Sequence, residues 1–236
     1  MGAGSVGYYR FVTKTVYEES VSHLGEIYHQ TNQALNTLVD QNMTYLHMWS
    51  VYLRTARDEA SVRTYLGKAK EEAGFTSFCF LTSDGNYMTL DGDQGYLGLQ
   101  GDPGPEIEAG NDFIMNAALP GRAEMLVFAS PQGHGTYQGF EYDAIAVVYN
   151  NADIGKIFDT DAFSGQAASY VVYPNGVVVI SHSVHVPETV YNLLAILRTH
   201  TDLSTSELEA LTQDLQNSRN GAMRVTMDGT PYYMVY

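Results

Sequence analysis

The chain has 236 residues, of which 44% are hydrophobic, and its 12 basic and 27 acidic side chains give a formal net charge of −15. A chain of this length can hold two cores of about 100 residues each, and the apolar content excludes a disordered chain. Nucleic acids and anionic membrane surfaces are disfavoured as partners, because neutralising phosphates needs clustered Lys and Arg. No run of about 18 apolar residues that could span a bilayer occurs in the sequence.

The single cysteine, Cys79, lies inside an apolar run. A buried cysteine in such a run usually packs as a small hydrophobe, so we do not expect a nucleophile there. One cysteine also excludes a disulfide framework and leaves the cellular compartment open.

Residues 16–52 are predicted to form one long amphipathic helix. Its stripe of side chains is interrupted by Thr31 and Asn42, so two roles remain open: packing along the sheets of its own chain, or a partly polar coiled-coil seam with a second copy. The second role predicts a weak parallel homodimer through the long helix. Alternating spacings of three and four residues define the stripe, which consists of Val21, Leu24, Tyr28, Thr31, Leu35, Leu38, Asn42, Tyr45, Trp49 and Tyr52.

A strand–turn–strand pattern then occurs twice. A shorter helix at 61–72 precedes the first copy, which spans 77–89 and turns at Asp84-Gly85. The second copy spans 169–180 and turns at Asn175-Gly176. Asp-Gly and Asn-Gly between strand-like runs indicate hairpins, typically with type I′ turns. Two copies predict two similar domains.

Between the two hairpins, residues 91–110 are rich in Gly, Asp and Pro and are expected to form a long loop. A helical stretch is predicted at 111–118. Strands at 124–130 and 139–149 follow, joined by the polar connection 132–135.

Past a hinge predicted near 150–152, short helices are expected at 153–158 and 190–199. Ser204 and Glu207 fit a capping box that begins another helix. The chain closes with a third hairpin that turns at Asp228-Gly229.

Four segments carry a resemblance to double Cache domains, the tandem PAS-like sensor regions of bacterial transmembrane receptors: 137–146, 158–165, 169–176 and 228–236. The resemblance implies an α+β fold with a long N-terminal helix followed by two PAS-like antiparallel-sheet domains. It divides the chain into N-terminal helices (1–74), a membrane-distal domain (75–152) and a membrane-proximal domain (153–236).

The same resemblance implies a function. The chain would be the extracytoplasmic small-molecule sensing domain of a receptor whose cytoplasmic output domain is a diguanylate cyclase or a histidine kinase of a two-component system. Transmembrane helices would precede the long helix and follow the last strand, anchoring the full-length protein in the membrane. The alternative is a structural or docking domain that contacts a partner protein without a small ligand.

Six residues are candidates for ligand binding. Aromatic walls with one carboxylate suit a small cationic or zwitterionic ligand, so we expect an amino acid, an amine or a small carboxylate. A structural role competes at four of them: Trp49 as plain core, Arg54 as a solvated charge, and Tyr142 and Asp143 as plain structure. The candidates are Trp49, Arg54, Tyr87, Tyr137, Tyr142 and Asp143.

We place the ligand in the first repeat, because residues 91–110 can cover it, whereas 177–180 in the second repeat is typical of a filled core. His182 and His185 are too few ligands for a closed zinc site. No nucleophile, base or phosphate loop stands in a catalytic context, so neither an enzyme nor a cofactor or metal is expected.

Overall fold

A computed structural model describes residues 3–118, 124–155, 168–183 and 192–236. The motif at 158–165, the start of the helix predicted at 190–199, and His185 lie outside these residues. The helices are α1 (Ala3–Thr55), α2 (Glu59–Ala73), α3 (Gly104–Ala109), α4 (Asn151–Gly155), α5 (Leu193–His200) and α6 (Thr205–Gln216). The strands are β1 (Ser77–Leu81), β2 (Asn86–Thr89), β3 (Gln94–Tyr96), β4 (Phe113–Ala117), β5 (Met125–Tyr137), β6 (Phe140–Asn150), β7 (Ala168–Val172), β8 (Val178–Ser183), β9 (Ala222–Met227) and β10 (Thr230–Val235).

The fold is α+β, with a long N-terminal helix followed by antiparallel sheets, which confirms the predicted fold class. The chain forms two compact units. The first unit is Leu35–Ile157, and the second joins Met1–Ala34 with Phe158–Tyr236. The domain limits proposed from the sequence, at 74 and 152, stay a prediction.

The first unit is built on a six-stranded sheet in the order β3-β2-β1-β6-β5-β4. All neighbouring strands pair antiparallel. Because side chains alternate along a strand, β1 sends Phe78 and Phe80 to one face and Cys79 and Leu81 to the other. The sheet therefore has two distinct buried faces.

Helix α1 packs the second half of its stripe against one of these faces. Trp49 is 2% exposed, and its ring lies 5.9 Å from that of Phe78. Asn42 is buried as well, and its side-chain oxygen accepts a hydrogen bond of 2.9 Å from the Tyr149 hydroxyl. In this half of the helix the stripe is therefore occupied by the chain's own core.

Local signals fix the ends of α2. The Asp58 carboxylate accepts a hydrogen bond from the Ser61 amide, which holds the pKa of that carboxyl below its usual range. Gly74 ends the helix at φ 72°, a left-handed conformation that suits glycine. The helix predicted at 61–72 is thus present and ends at Ala73.

In the second unit, β7–β8 and β9–β10 form two-stranded sheets. The capping box of α6 is present, with Ser204 and Glu207 bonding each other's backbone amides. Leucines of α5 and α6 pack with Met223, Met234 and Tyr236 of the last hairpin and its end. The Tyr28 hydroxyl of α1 donates to the Asn220 side chain at 3.3 Å.

Three local predictions are wrong. Residues predicted as a helix at 111–118 contain strand β4, whose pairing with β5 outweighs the ambiguous apolar run. The predicted connection at 132–135 lies inside β5, where the register shifts between Pro131 and Gly135. In the first two hairpins only the glycine of the turn has positive φ, and both central residues do so at Asp228-Gly229.

Candidate ligand-binding site

One face of the six-stranded sheet has a floor of small side chains. Ala129 of β5 pairs with Ala146 of β6, and Ala146 pairs with Cys79 of β1. Ala144, two residues before Ala146, lies on the same face. Across the strands, Phe113 of β4 borders this floor on one side, and Thr89 of β2, the partner of Cys79, borders it on the other. We call this side of the sheet the trough face; its larger apolar residues are Leu81, Tyr87, Phe113, Met115, Val127 and Val148.

Residues 91–112, here called the cover segment, form the edge strand β3 and from Leu97 onward pack on this face. Leu97 and Leu99 are buried with the floor residues, and Ile107 of α3 packs against them. Leu99 also forms a bridge with Ala117 of β4, which sets the cover segment alongside the edge of the sheet. The segment predicted as a loop thus carries β3 and α3 and closes one face of the sheet.

Polar side-chain contacts to the two N-terminal helices hold both ends of the cover segment. At its start, Arg63 of α2 contacts the Asp91 carboxylate with two nitrogens, at 2.9 and 3.1 Å. At its end, the Nε2 atom of His47 on α1 lies 2.8 Å from the Asp112 carboxylate. The cover segment is therefore tied to α1 and α2 as well as to the sheet.

The trough face is mostly apolar, with the Ser77 and Thr89 hydroxyls beside Cys79. Among the described residues, the side chains buried in this face are all uncharged. Burial raises the pKa of the Cys79 thiol to about 12, so the floor of the trough is neutral at physiological pH.

The opposite face, here called the aromatic face, carries three of the six predicted residues. Trp49 stacks on Tyr45, with ring centroids 5.5 Å apart, and also contacts Phe75 and Phe78. Its indole is enclosed by its own chain and belongs to the core between α1 and the sheet.

Tyr137 and Tyr142 lie on the same face, around Phe80. The ring of Tyr137 stacks on Phe80 at 4.3 Å, and that of Tyr142 is tilted against it at 4.8 Å. Burial raises the pKa of both phenols, and the Arg54 guanidinium partly offsets the rise for Tyr142. Arg54 itself is exposed near the end of α1.

A bulge in β5 explains the position of Tyr142. Strict alternation from Ala144 would put its ring on the trough face. Three residues of β5, from Gln132 to His134, stand opposite Asp143 alone, because Pro131 pairs with Ala144 and Gly135 pairs with Tyr142. Such bulges redirect neighbouring side chains, and here Tyr142 contacts the aromatic face.

Asp143 lies beside this bulge and binds two groups. One carboxylate oxygen accepts a hydrogen bond of 2.9 Å from the Ser83 amide in the β1–β2 turn. The other lies 2.7 Å from Nδ1 of His134. Asp143 is thus held between the β1–β2 turn and the bulge, one residue before the floor residue Ala144.

The six candidates do not share one cavity. Tyr137 and Tyr142 are brought together, whereas Tyr87 packs on the trough face, on the other side of the sheet. Trp49 is core, Arg54 is at the helix end, and Asp143 lies on the central strand β6 between the β1–β2 turn and the β5 bulge. Sequence reasoning missed His134 and the floor residues, although the small residues at alternate positions, Ala144 and Ala146, were a usable signal.

Metal binding finds no support in the described part of the chain, where no three His, Cys, Asp or Glu side chains converge. Within those same residues, no helix has the length and apolarity that crossing a membrane requires.

Comparison with family models gives no match. Comparison with curated proteins gives no match either. Solved structures, however, share the fold. The ligand-binding domain of the Pseudomonas aeruginosa amino acid chemoreceptor PctB, in complex with L-Gln, has a TM-score of 0.60 at 15% identity, covering 89% of this chain and 81% of that one.

Two further solved structures share this fold. The ligand-binding domain of the P. aeruginosa chemoreceptor PctC, in complex with GABA, has a TM-score of 0.55 at 14% identity, covering 92% of this chain and 98% of that one. The extracellular domain of the histidine kinase soHK1S-Z6 has a TM-score of 0.58 at 12% identity, covering 96% and 90%. The chain has the fold of Cache-type sensor domains. This sensor-domain fold spans both units, since each match covers about nine-tenths of the chain.

Proposed function

We propose that this chain is the extracytoplasmic small-molecule sensing domain of a membrane-anchored receptor and transmits ligand binding to a cytoplasmic output domain. The observation that carries the proposal is the sensor-domain fold, which it shares over most of its length with domains that bind L-Gln and GABA. An amino acid, an amine or a small carboxylate is the proposed ligand class. The proposed output domain is a histidine kinase or a diguanylate cyclase.

The trough of the first unit is the proposed site. Tyr87 packs on this face and Asp143 precedes the floor residue Ala144 on β6, so these two residues are the proposed ligand contacts. The phenol offers a hydrogen bond, and the carboxylate suits an amine. Trp49, Tyr137 and Tyr142 support the site from the other side of the sheet by holding β1, β5 and β6 in place.

Transmission would begin at the cover segment. A ligand in the trough needs the space that Leu97 and Leu99 now fill, so binding favours an arrangement with a displaced cover. Because the ends of this segment are paired with Arg63 and His47, a displacement also changes the contacts of α2 and α1. Ligand binding can shift a two-state equilibrium only by its difference in affinity for the two states.

A thermal-shift screen against amino acids, amines, small carboxylates and nucleobases tests the proposal, with hits confirmed by calorimetry. A ligand at a hundred times its Kd adds about 2.7 kcal/mol to the free energy of unfolding, which a melting experiment resolves easily. Sensing is supported if at least one compound raises the Tm and saturates at one site. A folded protein that responds to no compound, but binds a protein partner through the first unit, would favour the docking alternative.

A further inference from the structure

The two ends of the cover segment are held by contacts of different chemistry. At its start, Asp91 pairs with Arg63 of α2. At its end, a carboxylate oxygen of Asp112 lies 2.8 Å from Nε2 of His47 on α1. Carboxylates and guanidinium groups keep their charges between about pH 5 and 8, whereas histidine gains or loses its charge within this range. Of the two contacts, only the one at the end therefore contains a group that titrates there.

The end of the cover segment has few other tertiary contacts. Helix α3 has no buried residue, and its Ile107 is only partly buried against the trough-face cluster. Asn111 donates a hydrogen bond of 3.1 Å to the Glu106 carboxylate, but both residues belong to the cover segment itself. In the described part of the chain, the Asp112 carboxylate contacts no polar group other than His47. This contact is thus the polar tie between the segment's end and α1.

The segment that meets His47 is negatively charged. Beside the bonded carboxylate it carries Glu106 and Glu108 of α3. On α1, Asp40 and Arg54 lie two turns from His47 and carry opposite charges. An imidazolium at this position is therefore attracted mainly by the cover segment. The side chains one turn away on α1 are uncharged, namely Met43, Thr44, Ser50 and Val51.

We propose that the contact between His47 and Asp112, here called the clasp, is sensitive to pH and loosens the end of the cover segment as the pH rises. With His47 protonated, the hydrogen bond joins two opposite charges and is stronger than a bond from a neutral imidazole. The clasp is therefore strongest at acid pH and weakens as the proton leaves. The pair of Arg63 and Asp91 keeps its charges, so the start of the segment stays in place.

As a regulator of ligand binding, the clasp rests on the proposed function. A ligand that displaces the cover segment must open the clasp, which takes more free energy at acid pH. Such a ligand would bind less tightly at about pH 5.5 than at about pH 7.5. The clasp itself can be tested without any ligand.

Amide hydrogen exchange of the ligand-free chain, followed by mass spectrometry, makes this test. Amides of Ile107, Gly110 and Asn111 are hydrogen-bonded within the end of the segment, so their exchange reports its opening. Protection factors remove the intrinsic pH dependence of exchange. Between about pH 5.5 and 7.5, we expect protection of residues 104–112 to fall about two- to fivefold, as suits a partly exposed pair. Protection of residues 91–96 should stay unchanged.

Three variants assign the effect. His47→Gln can still donate a hydrogen bond but cannot gain a charge, and Asp112→Asn removes the charge of the partner. Both should abolish the pH dependence at 104–112. His29→Gln, at an exposed position of the same helix, is the matched control and should behave as the wild type. All three keep the contact of His134 with Asp143, and circular dichroism confirms that each is folded.

The outcomes separate the clasp from the proposed function. No fall in the wild type, an equal fall in His47→Gln, or an equal fall at both ends of the segment would overturn the clasp. Sensing would stand in each of these cases, because the ligand screen detects binding at a single pH. If the clasp is found but no compound binds, sensing fails and the pH response of the cover segment remains.

Discussion

Glycines in the first unit allow tyrosine rings to lie directly on the neighbouring strand. A Cβ placed on Gly135 would be 2.4 Å from Cζ of Tyr142, which is too close for the ring to remain. A Cβ on Gly95 would similarly be 3.1 Å from the ring of Tyr87, its cross-strand partner. The absent side chains thus set the positions of two rings on opposite faces of the sheet.

Two alanine substitutions should therefore have opposite effects. Gly135→Ala forces the Tyr142 ring away and should destabilise the fold by about 1–3 kcal/mol. Gly67 lies inside α2, and a Cβ there meets no atom within 4 Å. Gly67→Ala should therefore stabilise by about 0.5–1 kcal/mol through helix propensity alone. Urea unfolding followed by circular dichroism measures both, and equal effects at the two sites would contradict this account.

Asp143 makes a structural contact and has a proposed binding role. Asp143→Ala removes the acceptor of the Ser83 amide, so we expect a loss of about 1 kcal/mol in stability. The same variant should abolish the ligand-induced rise in Tm, because it removes the proposed partner of a ligand amine. Glu141→Ala, at an exposed position of the same strand, is the control and should change neither quantity. Undiminished ligand binding by Asp143→Ala would place the site elsewhere.

Among the elements, α1 is positioned by one buried polar contact as well as by aromatic packing. Asn42 interrupts the apolar stripe, and its amide both donates to the Leu38 carbonyl and accepts from Tyr149 on β6. Burial raises the pKa of the Tyr149 phenol, so it stays protonated and remains a donor. A shift of α1 along the sheet would leave both groups buried without this partner.

A double-mutant cycle measures that contact. Asn42→Ala leaves the Tyr149 hydroxyl unpaired and should cost about 1–3 kcal/mol, and Tyr149→Phe should cost a similar amount. The double variant should cost less than the sum, with a coupling energy of about 0.5–3 kcal/mol. Tyr65→Phe, at an exposed ring, is the control and should stay within about 0.5 kcal/mol of the wild type. Additive effects at the two positions would mean that the hydrogen bond contributes no coupling.

Elements with a local signal could be predicted from the sequence, whereas those determined by tertiary pairing could not. The ends of α2 and α6 follow from Asp58, Gly74 and the Ser204–Glu207 box, which act within a few residues. Strand β4 depends on pairing with β5, a distant contact that a short apolar run does not reveal. The bulge opposite Asp143 likewise exists only once β5 and β6 have paired.

The candidate site was predictable in part for the same reason. Residue type correctly marked Tyr137 and Tyr142 as neighbours, since both flank Phe80. Residue type could not predict which face of the sheet each ring occupies, because the bulge in β5 places Tyr142 on the face opposite to the one that strict alternation predicts. Nor could it identify the trough, whose shape comes from Ala129, Ala146 and Cys79 meeting across three strands.

At the scale of the whole molecule, this chain shares its fold with domains whose sequences differ strongly from its own. Identity to the PctB and PctC domains is 15% and 14%, although each alignment covers about nine-tenths of the chain. A hairpin turn or a buried sheet face requires a class of residue and not one particular residue. Many different sequences can therefore form the same fold. Ligand contacts, by contrast, depend on individual side chains, which is why they must be tested in this chain itself.

Association through α1 is the remaining proposal at this scale. The predicted seam included Asn42 and Trp49, but both are buried in their own chain, so a second copy cannot use the stripe there. That part of the helix instead exposes Met48 and Val51, which are 48% and 57% accessible and lie one turn apart. A parallel dimer would bury these two side chains, and their small apolar area predicts weak binding.

Sedimentation velocity over a range of concentrations tests this dimer. We expect a monomer–dimer equilibrium that is populated only at high concentration, since membrane anchoring would normally supply the effective concentration. Val51→Glu should shift the equilibrium toward monomer, because it places like charges at the seam. Asn36→Glu adds the same charge at an exposed position roughly four helical turns from Val51 along α1 and should leave the equilibrium unchanged. A wild-type chain that remains strictly monomeric at high concentration would show that α1 has no intrinsic tendency to dimerise.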